Sequence, residues 1–151
     1  MMPHELYVIY ESHTGNTRRM AQAVAEGARE VEGIQVTLKR VGEANVEELA
    51  DAEAIILGSP TRNTKVPAAM SQFLKRMEEV PLRGKMGAAF GSYGWSGEAV
   101  GLIRSAVTRQ GLRVPGAGVR AKRTPDQGAL EKCRALGTGV ATRLVEGTAQ
   151  E

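Results

Sequence analysis

Cysteine is nearly absent from this sequence: Cys133 is the one cysteine in 151 residues. A single cysteine cannot form an internal disulfide, and no CxxC pair is present to bind zinc or to exchange with another dithiol. The two histidines, His4 and His13, are too few for a histidine-rich metal centre. We therefore expect no metal site, and any redox chemistry would need a bound cofactor.

Long hydrophobic runs are missing as well. No apolar run approaches the roughly 18 residues that a membrane span needs, and the amino terminus lacks the basic and apolar regions of a signal peptide. We expect a cytoplasmic location and no membrane partner. With 42% apolar and 25% charged residues, the sequence predicts a single globular domain over residues 1–151.

Aromatic residues make up only 4% of the sequence, whereas basic residues are concentrated near its end. The segment Arg104–Arg143 contains nine Lys or Arg residues against two acidic ones. Single-stranded nucleic acids are commonly bound by aromatic side chains interleaved with such charges, and this interleaving is absent here. Nucleic-acid binding is therefore disfavoured, and we expect this basic surface to be solvated or to meet an acidic partner protein.

The hydrophobic pattern alternates between short apolar runs, which predict strands, and apolar residues three or four positions apart, which predict helices. Five strands alternating with five helices predict an α/β fold with a doubly wound parallel sheet and helices on both faces. The predicted strands are Glu5–Tyr10, Ile34–Leu38, Ala54–Leu57, Met86–Phe90 and an irregular Leu112–Val119. The predicted helices begin at Thr17, at Asn45 (a short helix through Leu49), at Pro67, and near Val100 and Leu130.

Ligands of such sheets bind beyond the carboxyl ends of the strands, where the strand order reverses. The loops after strands one, three and four are therefore the expected binding site. The first loop, Ser12–Thr17, combines three hydroxyls, a glycine and a helix start. Unpaired N–H groups at a helix amino terminus bind phosphate, but Thr14, Asn16 or Thr17 could equally be a simple helix cap. The loop is not a Walker motif, which needs GxxxxGK followed by Ser or Thr, and it is not a dinucleotide fingerprint.

Three segments resemble the flavin loops of flavodoxins. Tyr10–Thr17 is similar to the FMN phosphate loop, whose usual form is T/S-x-T-G-x-T, and Gly58–Thr64 looks like the second flavin loop. Ala88–Ala99 resembles the third loop in the flavodoxin domain of flavodiiron proteins, also called A-type flavoproteins. The resemblance covers nearly the whole chain and implies a flavodoxin-like sheet of order 2-1-3-4-5 with FMN as cofactor. Oxygen or nitric oxide reduction does not carry over, since the diiron domain is lacking.

The resemblance also assigns the site residues. Trp95 is expected to stack on the flavin, with core packing as the alternative, and Tyr93 to contact the ring or to pack within its loop. Arg62 and Lys65 would lie beside the flavin and favour its reduced form, unless both point into water. The phosphate-binding residues are Ser12, His13, Thr14, Gly15, Asn16 and Thr17, and the ring-flanking residues are Pro60, Thr61, Arg62, Asn63, Thr64, Ser92, Tyr93, Gly94, Trp95 and Gly97.

The implied function is that of an FMN-binding electron carrier, which shuttles low-potential electrons between redox partner proteins, acidic ones among them. Because the flavin would supply the redox chemistry, no catalytic residue is expected. Two alternatives stay open: an FMN-dependent NAD(P)H:quinone or metal-ion reductase, and a flavin-free flavodoxin-like interaction module. A serine hydrolase is disfavoured because Glu98 stands where the GxSxG elbow needs its second glycine. The sequence leaves open whether the chain is an enzyme and whether it is a monomer or a dimer.

Overall fold

The computed structural model describes residues 2–150, with the backbone alone for 148–150. Its five strands pair in parallel in the order β2-β1-β3-β4-β5, which confirms the predicted flavodoxin-like sheet. The strands are β1 (His4–Tyr10), β2 (Ile34–Arg40), β3 (Ala54–Gly58), β4 (Met86–Tyr93) and β5 (Val119–Lys122). The α-helices are α1 (Asn16–Arg29), α2 (Ala68–Met77), α3 (Glu98–Arg109) and α4 (Gln127–Gln150).

Strand β3 shows why the sheet is covered on both faces. All five of its residues are buried, as expected of a central parallel strand with helices above and below it. Ala54 and Ile56 belong to the core under α1 and α4, whereas Ile55 and Leu57 belong to the core under α2 and α3. Alternate side chains of one strand therefore join two separate cores, and the predicted doubly wound architecture is confirmed.

Helix α4 lies along α1 on one face of the sheet. Its buried residues include Cys133, Val140 and Leu144, which the sequence pattern placed on one helical stripe. The Thr138 hydroxyl donates a hydrogen bond of 2.9 Å to the backbone oxygen of Gly27 in α1. Within residues 2–150, no helix is long and apolar enough to cross a lipid bilayer.

The fifth strand was predicted in the wrong place. Residues 112–118 do not form a strand: among them only Arg113 forms a bridge, to Met86, and β5 begins at Val119. Leu112 is nevertheless buried in the core under α2 and α3, because an apolar residue can pack there without ladder hydrogen bonds. Pro115 and two glycines interrupt the run, while the true strand alternates buried and exposed residues. The correction brings the residues after Lys122 to the carboxyl edge of the sheet.

The short helix predicted from Asn45 to Leu49 is a 3₁₀-helix over Val46–Asp51, so four α-helices rather than five are present within residues 2–150. Asn45 is its N-cap residue, and its backbone N–H donates to the Glu48 carboxylate at 2.9 Å. Lys39 of β2 donates to the same carboxylate at 2.5 Å. These two donors, the Asn45 N–H first, lower the pKa of Glu48. A second 3₁₀-helix, Val41–Glu43, precedes it.

Candidate functional site at the carboxyl edge of the sheet

The loop after β1 is folded back by one buried hydroxyl. The Ser12 Oγ accepts hydrogen bonds from the backbone N–H groups of Gly15 at 3.1 Å and Arg18 at 3.3 Å. Gly15 is the N-cap residue of α1 and has φ of 92°, a left-handed conformation that glycine adopts without steric cost. The N–H groups of Thr14 and Asn16 have no hydrogen-bond partner among the described residues. The loop thus presents backbone donors beside the positive end of a helix, which suits a phosphate.

Two residues outside the predicted site hold this loop in place. The Glu11 carboxylate accepts hydrogen bonds from the Ser12 N–H at 2.9 Å and from the Arg40 Nε at 3.1 Å. Arg40, the last residue of β2, also donates to the Ser12 carbonyl oxygen at 2.5 Å. The negative charge of Glu11 is therefore paired with Arg40, and both the N–H and the carbonyl oxygen of Ser12 are held by hydrogen bonds.

The loop after β3 closes in a tight two-residue turn. Arg62 and Lys65 exchange backbone hydrogen bonds of 2.7 Å and 2.9 Å, and the residues between them, Asn63 and Thr64, have φ of 50° and 64°. Such a turn normally carries Asn and Gly. Threonine is β-branched and rarely adopts positive φ, so this glycine-free loop reaches the left-handed region at the cost of local strain.

Hydrogen bonds join the three loops to one another. Arg62 Nη1 donates to His13 Nδ1 at 2.7 Å, which links the second loop to the first. The Thr61 N–H donates to the Ser92 carbonyl oxygen at 3.2 Å, which links the second loop to the third. The buried hydroxyls of Thr17 and Ser92 lie 2.8 Å apart and link the first loop to the third. The loops therefore form one cross-linked edge rather than three independent segments.

The loop after β4 presents the one tryptophan of the sequence to solvent. Trp95 is 94% exposed, so its alternative role as a core residue is wrong. The backbone of this loop is held from β5, because Arg120 Nε donates to the Gly97 carbonyl oxygen at 3.0 Å and the Arg123 N–H donates to the Tyr93 carbonyl oxygen at 2.6 Å. An exposed aromatic side chain on an anchored loop is suited to covering a planar ligand.

The three loops surround a cavity of about 240 Å³. Ser12 and Thr17 are buried and Trp95 is exposed, and none of the three lines the cavity. The other predicted site residues that do not line it are Gly15, Asn63, Thr64 and Gly97. Lys65 instead lines a separate groove of about 620 Å³ between α2 and α3. Two guanidinium groups and no carboxylate are found among the described lining residues, which are His13, Thr14, Asn16, Pro60, Thr61, Arg62, Ser92, Tyr93, Gly94 and Arg123.

This donor set fits a flavin mononucleotide. Backbone N–H groups and hydroxyls of the first loop match a phosphate, and the described lining residues bring no carboxylate against it. The second and third loops contribute Pro60 and Tyr93 to the lining, and both side chains offer apolar surface to a ring system. Within the described residues, no group of three or more His, Cys, Asp or Glu side chains is arranged to hold a metal ion.

The comparison with protein families agrees with this geometry. Residues 8–137 match the family model described as Flavodoxin. The chain belongs to the flavodoxin family. Flavodoxins bind FMN and transfer electrons, so the chain is an FMN-binding electron-transfer protein.

Individual flavodoxin-like proteins resemble the chain along most of its length. A type A flavoprotein (fprA) of Rhodobacter capsulatus is 37% identical over 143 residues, which cover 92% of this chain and 33% of that protein. The rubredoxin-oxygen oxidoreductase of Megalodesulfovibrio gigas is 30% identical over 93% of this chain and 36% of its own length. The chain therefore spans about a third of the curated relatives that it matches.

A solved structure, described as a flavodoxin from the domain Archaea, has a TM-score of 0.87 and 35% identity, and the match covers 92% of this chain and 97% of that one. The structure of the rubredoxin oxygen:oxidoreductase from Desulfovibrio gigas has a TM-score of 0.91 and 29% identity, over 98% of this chain and 38% of that one. A stand-alone flavodoxin and the flavodoxin part of a larger protein thus both resemble this chain.

Sequence patterns missed three residues of this flavodoxin site. Glu11 and Arg40 act through the backbone of Ser12, and no motif indicates a contact between residues 28 positions apart. Arg123 lines the cavity because β5 ends at Lys122. The alternation of buried and exposed residues in Val119–Lys122 fits a strand, but the predicted strand ended at Val119, and Arg120 and Lys122 were interpreted as part of a basic surface.

Proposed function

We propose that the chain is a carrier that shuttles low-potential electrons between redox partner proteins, with one FMN held at the carboxyl edge of the sheet by residues of the loops after β1, β3 and β4. The observation that carries the proposal is the convergence of these three loops on one cavity, whose described lining residues include many donors and no carboxylate. A helix cap alone would explain the first loop, but it would not explain why the other two loops are tied to it.

Each loop has a separate task in this proposal. The amides and hydroxyls of Ser12–Thr17 bind the phosphate, and Gly15 allows the turn that exposes them. Pro60–Thr64 and the third loop, through Ser92–Gly94 and Gly97, flank the isoalloxazine, with Trp95 folding from solvent onto its outer face. The bound flavin would supply the redox chemistry. The protein residues bind it, orient it and restrict the access of water.

The charge around the site points to acidic partners. Arg62 and Arg123 line the cavity, and Arg120 and Lys122 belong to β5, the strand that ends at the same edge. Cations beside the site favour the reduced cofactor, which carries additional negative charge, and they attract proteins of opposite charge. We therefore propose acidic redox proteins as donor or acceptor.

Electron carriage is tested by steady-state oxidation of NADPH. The FMN-loaded protein alone, supplied with a quinone, should oxidise NADPH no faster than free FMN does. Addition of a flavodoxin reductase should start electron flow through the protein to an acceptor protein, at a rate that rises with the concentration of the FMN-loaded chain.

The opposite result would favour the second candidate. Saturable oxidation of NAD(P)H by the purified protein alone, with quinone or ferric iron as acceptor, would identify a reductase and contradict the carrier. A protein that binds no FMN at all would indicate the flavin-free interaction module.

A further inference from the structure

Arg123 is the cavity residue that no flavin-loop motif accounts for. It follows directly after β5 and lines the same cavity as His13, Thr14 and Asn16 of the phosphate loop. Its neighbour Lys122 is exposed too, but lines a different cavity, beside Asp126. The two adjacent cations therefore face different surroundings.

The backbone of Arg123 is held in an unfavourable conformation. Its φ is 58°, in the left-handed region, where a side chain crowds its own backbone and which few residues other than Gly, Asn and Asp adopt. The N–H of Arg123 donates to the Tyr93 carbonyl oxygen at 2.6 Å, which fixes this conformation against the third loop. Glycine would adopt the same backbone without cost. A strained arginine at a cavity wall points to a use for its side chain.

The Arg123 guanidinium lacks a counterion in the described part of the chain: no ion pair or hydrogen bond of its side chain is found there. The second guanidinium of the cavity, that of Arg62, already donates to His13. Asp126, three residues further along the chain, is not a counterion in this cavity either. Its carboxylate accepts a hydrogen bond of 2.8 Å from the Ala129 N–H, and Asp126 lines the neighbouring cavity. Arg123 therefore offers a fork of donors to an anion in the cavity.

We propose that Arg123, in the loop after β5, is a further ligand of FMN and that its guanidinium pairs with the phosphate group. This inference rests on the proposed function, since it takes FMN as the occupant of the cavity. The phosphate is the partner because it is the charged group of oxidised FMN, and because three phosphate-loop residues share the cavity with Arg123. Arg123 thus adds a cation to a phosphate site otherwise made of amides and hydroxyls.

The test compares the affinities for FMN and riboflavin, which lacks the phosphate, by titration of oxidised flavin fluorescence. Arg123→Gln should weaken FMN binding by about tenfold or more, which corresponds to about 1.4 kcal/mol, and leave riboflavin binding unchanged. Lys122→Gln removes the same charge one residue away and should bind both flavins like the wild type. Equal FMN affinity in the wild type and Arg123→Gln, or an equal loss for both flavins, would overturn the inference.

Arg123→Gly separates binding from folding. Glycine relieves the left-handed strain, so the urea midpoint of the flavin-free variant should be equal to or above that of the wild type while its FMN affinity falls as in Arg123→Gln. A lower midpoint together with weaker binding of both flavins would show a structural role instead. If the wild type itself binds no FMN, the proposed function fails; if it binds FMN and both Arg123 variants match it, this inference alone fails.

Discussion

At the scale of single residues, the buried hydroxyl pair of Thr17 and Ser92 is the contact that ties the start of α1 to the end of β4. The two oxygens lie 2.8 Å apart, and both side chains are almost completely buried. A buried hydroxyl that loses its partner bears the full cost of leaving water. The pair therefore couples the formation of two flavin loops.

Thr17→Val should lower the free energy of unfolding by about 1–3 kcal/mol, because it leaves the Ser92 hydroxyl buried without its partner. The double variant Thr17→Val/Ser92→Ala should lose less than the sum of the two single variants, since it removes both hydroxyls. Urea unfolding of the flavin-free protein measures all three. The exposed Thr108→Val is the matched control, and strict additivity of the two site substitutions would contradict the coupling.

Cys133 gives a prediction about pH. Burial raises the pKa of its thiol from 9.0 to about 12, so the folded protein keeps it neutral where an unfolded chain ionises it. The resulting contribution to stability is present in full below pH 9 and should be lost as the pH rises from about 9 to about 12. Cys133→Ala should lose less stability than the wild type over that range in urea unfolding at a series of pH values. Rapid alkylation of the native thiol at pH 8 would show that Cys133 is not buried in this way.

At the scale of elements, α1 and α4 approach each other so closely that only glycine fits at two positions. A Cβ atom at Gly137 of α4 would lie 2.0 Å from the backbone oxygen of Val24, and one at Gly27 of α1 would lie 2.0 Å from that of Arg134. The obstacle in both cases is backbone, which cannot turn aside as a flexible side chain would. This packing sets the position of α1 and therefore of the phosphate loop before it.

Gly137→Ala should lower the free energy of unfolding by about 1–3 kcal/mol or more, because the two helices must separate to make room for the added Cβ atom. Gly139→Ala is the matched control on the same helix: a Cβ there meets nothing within 4 Å, so this variant should gain up to about 1 kcal/mol from helix propensity. Thermal or urea unfolding of the two variants measures the change in the free energy of unfolding that each substitution causes. Equal effects of the same sign would contradict the close approach.

An element was predicted correctly where the pattern that indicates it lies within its own segment of the sequence. Strand β3 and helix α2 were correctly located because an apolar run or a helical stripe lies wholly within each segment. The strand β5 was displaced because Leu112 is apolar for a different reason, namely core packing without strand pairing. The Arg62–His13 contact could not be predicted, because the two residues are 49 positions apart. It also depends on the turn at Asn63 and Thr64, which lacks the glycine that usually marks such a turn in a sequence.

At the scale of the whole molecule, the excess of positive charge is the property that most affects encounters with partners. The formal net charge is +3, and the segment from Arg104 to Arg143 accounts for all of the excess, because it holds nine basic and two acidic residues while the rest of the sequence holds 11 and 15. Segments that follow β5 bring part of this charge to the carboxyl edge, where the three loops lie. Long-range attraction between charges on two proteins accelerates association and is screened by salt.

Electron transfer from the reduced FMN-loaded protein should therefore depend on salt in opposite ways for partners of opposite charge. With cytochrome b5, an acidic acceptor, the second-order rate constant in stopped-flow should fall as the ionic strength rises; with cytochrome c, a basic acceptor, it should rise or stay constant. Arg62→Gln should flatten the dependence for cytochrome b5, and Arg76→Gln, an exposed charge on α2 away from the cavity, should change it less. The reverse order of the two cytochromes would contradict an acidic partner.

The fold class of the molecule could be predicted because element order, parallel pairing and right-handed crossovers leave few arrangements of five strands. The candidate site could be located because parallel strands end at one edge of a sheet. Its details could not: the turn at Asn63 and Thr64 depends on backbone geometry that no residue pattern encodes.

The most direct test of the three-loop flavin site is fluorescence titration of FMN with the flavin-free protein. The account predicts one FMN per chain, with quenching of flavin fluorescence by the aromatic side chains of the third loop. Trp95→Ala should retain the stoichiometry but show weaker binding and less quenching, whereas Gly15→Val, which opposes the left-handed turn of the phosphate loop, should weaken FMN binding more than riboflavin binding. No saturable binding of FMN by the folded wild-type chain, or unchanged binding in both variants, would contradict it.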